Sequence, residues 1–336
     1  DLAEMFLVHN RPIVRHVDDS VVRIMMGREI VLRRARGYAP LPIHIKHSLQ
    51  ASLAVGAHLK NAVAFANGQD VVISQHIGDL ETEAAYEAFH NVIDDLKQLY
   101  ALSPATVACD AHPDYLSTRY AGETGLPLVS VQHHLAHVLA CMAENELDGP
   151  VMGVSWDGTG YGLDGTIWGG EFLLVEERQV SRIAHFCPFP LPGGDKAVKE
   201  PRRTALGVLH SLYGDQVFQR HDLAPFMAFT PQELAILRTM LAQNINCPLT
   251  TSVGRLFDAV AAIAGLCQRI RFEGQAAMAL EFALQGIETD DAYPFALDVL
   301  SSPGLLPWTQ VFEGVIHDFA QGVPVGVISA KFHNGL

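Results

Sequence analysis

Two runs, Val129-Ser-Val-Gln-His-His-Leu-Ala-His137 and Val154-Ser-Trp-Asp-Gly-Thr-Gly-Tyr-Gly-Leu-Asp-Gly-Thr-Ile-Trp-Gly-Gly-Glu171, decide how this chain reads. A short apolar strand, Pro127 to Val131, leads into a helix that opens with His133 and His137. A second strand, Val151 to Trp156, enters a glycine-rich turn holding Gly158, Gly160, Gly162 and Gly165 around Asp157 and Asp164. Residues four apart share one helix face, so the two imidazoles can meet one metal ion; the same spacing also fits two surface histidines. Glycines let backbone N–H groups approach a phosphate, and a carboxylate can hold a cation, although a Gly/Asp turn also serves as a plain hairpin. The two runs lie close together, which favours a metal and a phosphorylated ligand handled by one set of strands.

Composition narrows the class. The chain has 336 residues, 49% hydrophobic and 18% charged, as in a globular enzyme with a large core. Its 23 Lys and Arg against 37 Asp and Glu give −14, which argues against general nucleic-acid or anionic-membrane binding. The five cysteines, Cys109, Cys141, Cys187, Cys247 and Cys267, form no CxxC pair. That argues against a zinc ribbon and a disulfide scaffold and fits a reducing cytoplasm. The longest apolar runs, such as Ala259 to Cys267, fall short of the roughly 20 residues of a membrane span.

Outward from the centre, strand and helix patterns alternate, which predicts an α/β architecture. Met5 to Val8 and Glu29 to Leu32 read as strands, and Arg33-Arg34-Ala35-Arg36 as an arginine cluster able to grip an anion or as a solvated loop. Pro40 to Ile43 marks a boundary. Ala51 to Val55, Ala62 to Ala66 and Val71 to Ser74 read as β-runs, with Lys60 at a corner and a turn at Asn67-Gly68. Residues 79–101 carry Ala85, Phe89, Val92, Ile93, Leu96 and Leu99 at helical spacing, and Ala105 to Cys109 is a buried strand. Leu191-Pro-Gly-Gly-Asp-Lys196 is a loop, and a peripheral helical region, 213–250, holds a capping pattern at Thr230-Pro-Gln-Glu233. The helix Gly254 to Leu266 sets Asp258 beside its apolar face, where a buried carboxylate wants a partner. A last unit runs through a strand at Pro294–Leu300 and helices at Trp308–Phe319 and from Val325 onward.

With these runs in hand, VGAHLKN, SQHIGDL, VQHHLAH, DGTGYGLDGTIWGGEF, LPGGDKAVKEPRR, GRLFDAVAAIAGL and EGQAAMALE, in that order, resemble the HypF family of hydrogenase maturation carbamoyltransferases. Residues 1–43 resemble the C-terminal part of a YrdC-like domain, and 44–336 a C-terminally incomplete TsaD-like carbamoyltransferase domain. The resemblance implies an actin-like ATPase (ASKHA) α/β fold of two lobes with a nucleotide in the cleft. It implies ATP and carbamoyl phosphate as substrates, a carbamoyl adenylate intermediate, and transfer of the carbamoyl group to the C-terminal cysteine of a HypE-type partner, toward the cyanide ligand of the [NiFe] centre. No membrane or nucleic acid is implied.

Carried over by motif, His133, His137 and Asp157 would hold a divalent metal, zinc or iron, with Mg accompanying ATP. Asp157 and Lys60 would act on the phosphate. Gly158, Gly160, Gly193 and Gly194 would line the nucleotide, Asp258 would contact its ribose, and Asn10, Ser20, Arg34 and Arg36 would face the adenylate. The chain departs from the family by beginning inside the YrdC-like domain and by ending in KFHNGL, before a glycine-rich segment with a further metal-ligand Asp. Competing readings are a tRNA threonylcarbamoyl transferase, an antibiotic O-carbamoyltransferase and a non-catalytic ATP-binding scaffold. The histidine pair also suggests a metal-dependent peptidase, against which His134 stands where HExxH needs Glu.

Overall fold

The computed structural model describes residues 4–177, 179–298 and 300–336. The chain forms two compact units, one of residues up to His133 with Ala143–Glu146, the other of His134–Met142 with Leu147–Leu336.

In the first unit, β1 (Val21–Met25) and β2 (Arg28–Arg33) make an exposed antiparallel pair. A second sheet contains β3 (Pro42–Ala54), β4 (Ala64–Ile73), β5 (Thr106–Asp110) and β6 (Leu128–Val131), in the order β4-β3-β5-β6. β3 and β4 are antiparallel, while β5 runs parallel to both β3 and β6. The apolar stripe expected in residues 79–101 is α1 (Glu83–Leu99), which buries Phe89, Val92, Ile93 and Leu96 and is capped by Thr82 accepting from Ala85 N–H. A shorter helix, α2 (Leu116–Glu123), links β5 to β6, and α3 (His133–Glu144) follows directly after β6.

The second unit begins with the antiparallel meander β7 (Val151–Tyr161), β8 (Ile167–Val175) and β9 (Val180–Phe186). Then come β10 (Phe189–Pro190), α4 (Asp195–Lys199), α5 (Pro201–Tyr213), a 3-10 turn over 214–219, α6 (Ala224–Met227) and α7 (Pro231–Gln243). β11 (Leu249–Thr250), α8 (Val253–Ile263), α9 (Gln275–Ala283), β12 (Gly304–Leu306), α10 (Thr309–Ala320) and α11 (Val325–Gly335) complete it. α8 is the central helix: Val253, Leu256 and the run Ala259 to Ile263 are buried in one core with α5, α9, α10 and α11. At this length and apolarity such a core is the main source of stability.

Several local expectations change. Met5 to Val8 is exposed and irregular and pairs with no strand among the described residues. Asn67-Gly68 is no turn: β4 runs straight through it, and Gly68, at φ +63°, sits opposite Leu49 at an irregularity in a ladder that begins at Pro42. The long pairing outweighs the local turn signal, and the left-handed residue is absorbed as a bulge. Gly158 and Gly160 likewise lie inside β7, so the true turn is Gly162 to Thr166. Residues 213–250 are not merely peripheral, since Val217, Leu223, Phe226 and Leu237 join the main core. Pro294 to Asp298 forms no strand beyond a bridge from Asp298 to Leu305, and Val299 lies outside the described residues. The capping box at Thr230 and Glu233 is present as read. No helix among the described residues is long and apolar enough to cross a membrane.

Candidate metal and nucleotide site

β7 alternates in burial: Met152, Val154 and Trp156 are exposed, while Gly153 and Ser155 face inward. Helix α3 lies against that inward face, and two glycines make this possible. A Cβ on Gly153 would stand 2.4 Å from Val138 Cγ1, and one on Gly160 would stand 2.3 Å from His134 Cε1. His134 is fully buried and Val138 nearly so, packed with Leu173 and Val175. The absence of a side chain at Gly160 is thus what lets α3 seat against β7. Alanine at Gly160 is expected to destabilise the protein by about 1–3 kcal/mol, because the buried ring it meets has nowhere to go. Thermal melting checks this, and an unchanged melting point would show that the contact relaxes freely.

The docked helix carries two exposed-edge imidazoles. His133 and His137 stand one turn apart on α3, and with Asp157 of β7 their ligand atoms all lie within 4.8 Å of one another. His133 is further held by Asp110, whose Oδ2 is 2.7 Å from Nδ1. Asp110 ends β5, is 8% exposed, and accepts the His112 N–H on its other oxygen at 2.8 Å. The sequence reading passed over Asp110; its one signal was an acid closing a buried strand. Two nitrogens and a carboxylate oxygen, one imidazole already oriented by a second carboxylate, form a donor set that suits zinc or iron.

Behind Asp157 the start of α8 is locked to β7. Ser252 Oγ lies 2.7 Å from the Asp157 carbonyl and 2.9 Å from that of Gly158, and it accepts the Arg255 N–H at 3.1 Å. Gly254 approaches closely enough that a Cβ would lie 3.0 Å from Gly158 Cα. The Gly158 N–H is bonded to Asp157 Oδ1 at 2.6 Å. Gly158 itself faces Arg255, whose Nη2 would be 3.4 Å from a Cβ there. Arg255 Nη1 in turn lies 3.1 Å from Asp258 Oδ2, an ion pair with both side chains almost wholly buried. That oxygen receives no well-aligned hydrogen bond, and burial pushes the Asp258 carboxyl up to about 6 against the pull of Arg255. Asp258 is thus a buried acceptor with spare capacity.

The turn of the β7–β8 hairpin is braced by charge. Glu171, fully buried, accepts the Gly169 and Gly170 N–H groups at 3.1 and 3.2 Å, Thr251 Oγ1 at 2.5 Å and Arg182 Nε at 2.6 Å. Arg182 reaches Asp164 at 2.9 Å and lies 3.9 Å above the Trp168 ring. Asp164 also takes Thr166 N–H, Thr166 Oγ1 and Trp168 Nε1, and these bonds, with Arg182, hold its carboxyl below the usual range against the effect of burial. Asp164 is accordingly committed to the turn.

The remaining expected residues fall as follows. Gly193 and Gly194, at φ +100° and +55°, precede α4. Their N–H groups bond to the Asn246 and Leu191 carbonyls, so what they offer a ligand is room rather than donors. Lys60, exposed and at φ +49°, lies in the first unit two residues after His58, which groups with Asp79 and Glu81 as another set of nearby donor atoms. In the same unit, Ser20 Oγ bonds the Arg36 carbonyl and the Ala35 N–H. Arg34 Nη2 donates to the Tyr38 and Leu41 carbonyls, and Arg36 lies 3.8 Å from Asp19. Asn10 is exposed. Ser20 and Arg34 therefore shape the loop that carries them.

Comparison with known proteins places this geometry. Residues 153–336 match the family description "Carbamoyltransferase, Kae1-like Domain, second subdomain", and residues 47–144 match "HypF Kae1-like domain". Carbamoyltransferase HypF of Synechocystis sp. is 42% identical over 350 residues, covering 100% of this chain and 45% of that protein. Carbamoyltransferase HypF of Rhizobium leguminosarum bv. viciae is 41% identical, covering 83% of this chain and 36% of its own length. A crystal structure of full-length HypF in the phosphate- and nucleotide-bound form superimposes with TM-score 0.91 at 40% identity, over 99% of this chain and 51% of that one. T. kodakarensis HypF gives TM-score 0.85 at 32% identity, over 95% of this chain and 43% of its own. The chain thus spans about half the length of the relatives it matches, and its α/β fold is the Kae1-like, actin-like ATPase fold of these proteins. Matched along its whole length by sequence and by structure, the chain belongs to the HypF carbamoyltransferase family.

Proposed function

We propose that this chain carries the carbamoyl-transfer step of [NiFe]-hydrogenase maturation. It holds a carbamoyl adenylate, made from ATP and carbamoyl phosphate, and presents it to the C-terminal cysteine of a HypE-type partner. The observation that carries the reading is the convergence of His133, His137 and Asp157 to within 4.8 Å, on a chain of this family. Nucleotide and phosphate in the full-length HypF crystal structure support ATP as the ligand class.

His133, His137 and Asp157 would hold a divalent metal, which supplies Lewis acidity to a phosphate or carbamoyl oxygen. With Nδ1 of His133 facing Asp110, Nε2 is the nitrogen that would face that metal. Gly158, which has no side chain, leaves the approach beside Arg255 open, with Gly193 and Gly194 giving room elsewhere around the nucleotide. Asp258 accepts the ribose hydroxyls, and Lys60 is the cation assigned to the phosphate. Asn10, Ser20, Arg34 and Arg36 belong to the YrdC-like part, residues 1–43, and face the adenylate during its formation. The partner's thiolate attacks the carbamoyl carbon, the C–O bond to the phosphate breaks, and AMP leaves with that electron pair.

The test supplies the full-length protein with radiolabelled carbamoyl phosphate, ATP and a partner ending in cysteine. Label on the cysteine is expected; an unlabelled partner beside active protein overturns the reading.

Asp258 gives a pH dependence. Its carboxyl is raised to about 6 when folded, so ionising it costs more in the folded protein than in the unfolded chain, and this penalty is present above about 6 and relieved as pH falls below it. Donors from a ribose favour the ionised form. Adenosine, which has no phosphate to titrate, is therefore expected to bind about tenfold more weakly per pH unit below that value and with constant affinity above it. Calorimetric titration from pH 5 to 8 checks this, with Asp258→Asn expected to flatten the profile. A flat profile in the unsubstituted protein removes Asp258 from the ribose site.

A further inference from the structure

We infer that Asp110 is the positioning residue of the metal centre, fixing which nitrogen of His133 faces the metal; the inference rests on the metal reading above. Three observations converge on it. The Asp110 carboxylate is 5% exposed in its side chain and 2.7 Å from His133 Nδ1. Its other oxygen is tied to the main chain through the His112 N–H at 2.8 Å. Its own carbonyl accepts Thr118 Oγ1 at 3.1 Å, which fastens the end of β5 to α2. The carboxylate is thereby rigid from both sides and has one strong acceptor direction left, toward His133.

The chemistry follows from that geometry. An imidazole that coordinates through one nitrogen must carry its proton on the other, and a carboxylate facing Nδ1 selects the Nδ1–H tautomer. It also raises the electron density at Nε2 and holds the ring plane, so that nitrogen is a better donor. His137 stands one turn further along α3 and is exposed, whereas the two Asp110 oxygens meet His133 Nδ1 and the His112 N–H. Asp110 thus belongs to β5, whereas the ligand it serves belongs to α3, which is why no spacing rule over the ligand motif includes it.

Substitution by alanine removes the acceptor. Substitution by asparagine keeps an oxygen that accepts Nδ1–H and removes the charge. Asp110→Ala is expected to weaken metal binding about 10–100-fold, and Asp110→Asn to recover most of that loss. The experiment loads the full chain with Co2+ alone, follows the visible ligand-field bands, and measures affinity by competition with a chromogenic chelator. Long-range 1H–15N spectra of histidine-labelled, metal-free protein read the tautomer of His133, expected as Nδ1–H in the unsubstituted protein and in Asp110→Asn, and as a mixture in Asp110→Ala.

Thermal melting of the metal-free proteins runs alongside. If Asp110→Ala does not fold, the tautomer of His133 in the unsubstituted protein decides: a mixture of Nδ1–H and Nε2–H there overturns the role of Asp110. His133→Ala and His137→Ala separate the two claims. If these retain Co2+ as tightly as the unsubstituted protein, the metal reading itself fails. If they lose Co2+ while Asp110→Ala binds it with unchanged affinity and an unchanged His133 tautomer, the role of Asp110 alone is overturned.

Discussion

On the proposed function, His137→Ala is expected to abolish metal binding and to lower carbamoyl transfer by about three orders of magnitude, a loss of about 4 kcal/mol in transition-state stabilisation. The size follows from the donor count. Three side chains converge here, and removing one leaves His133 and Asp157 alone among those grouped. His137 is the most accessible of the three to substitute, because it is exposed, with its ring 6.5 Å from that of the buried His134. Asp157 is less clean, since its carboxylate also holds the Gly158 N–H and its carbonyl faces Ser252. Metal content by elemental analysis and labelled transfer to the partner cysteine should fall together, with the melting point of the metal-free protein unmoved. Transfer that survives loss of the metal would mean that the phosphate is handled by cationic side chains alone.

Glu171→Ala is the substitution with the largest expected effect on stability, about 3–5 kcal/mol and roughly 10 °C in melting temperature. Glu171 is fully buried and satisfies two main-chain N–H groups, the Thr251 hydroxyl and Arg182. Its loss orphans those donors at once and leaves Arg182 with Asp164 as its remaining carboxylate partner among those described. Unmade bonds to buried donors cost their full desolvation, which is why truncation is harsher here than the net worth of any one bond. Glu171→Gln keeps an acceptor for the N–H groups and should recover about half. The damage should also reach Asp157, because Thr251 is followed by Ser252, whose hydroxyl lies on the Asp157 and Gly158 carbonyls. A melting point within 1 °C of the unsubstituted protein would show that the hairpin holds its shape without this carboxylate.

What could be read in advance was local. The stripe of Phe89, Val92, Ile93 and Leu96 gives α1 because helical periodicity is written in adjacent turns. The histidine spacing puts His133 and His137 on one face for the same reason. What escaped was set by contacts distant in sequence. Thr251 lies 80 residues from Glu171, and Asp110 lies 23 from His133. Gly160 was read as a residue that opens space for a nucleotide, because glycine beside acid is a phosphate signal. The space beside it is filled by His134, a residue that the ligand motif treats as a spacer. Asn67-Gly68 misled in the opposite direction, where a strong turn signal lost to a strand with a continuous partner.

The seating of α3 has a consequence for how an ion is captured. The helix is pinned to β7 by His134 and Val138, which stand outside the proposed ligand set, so the geometry of that set is in place beforehand. In many small metal domains the site exists only after binding, and the affinity includes the cost of folding. At the proposed site little chain entropy would remain to be lost on binding an ion. Capture should therefore be rapid, should leave the far-ultraviolet circular dichroism unchanged, and should be reversible by chelator without hysteresis. A protein arranged in this way can lose its ion and be reloaded without passing through an unfolded state.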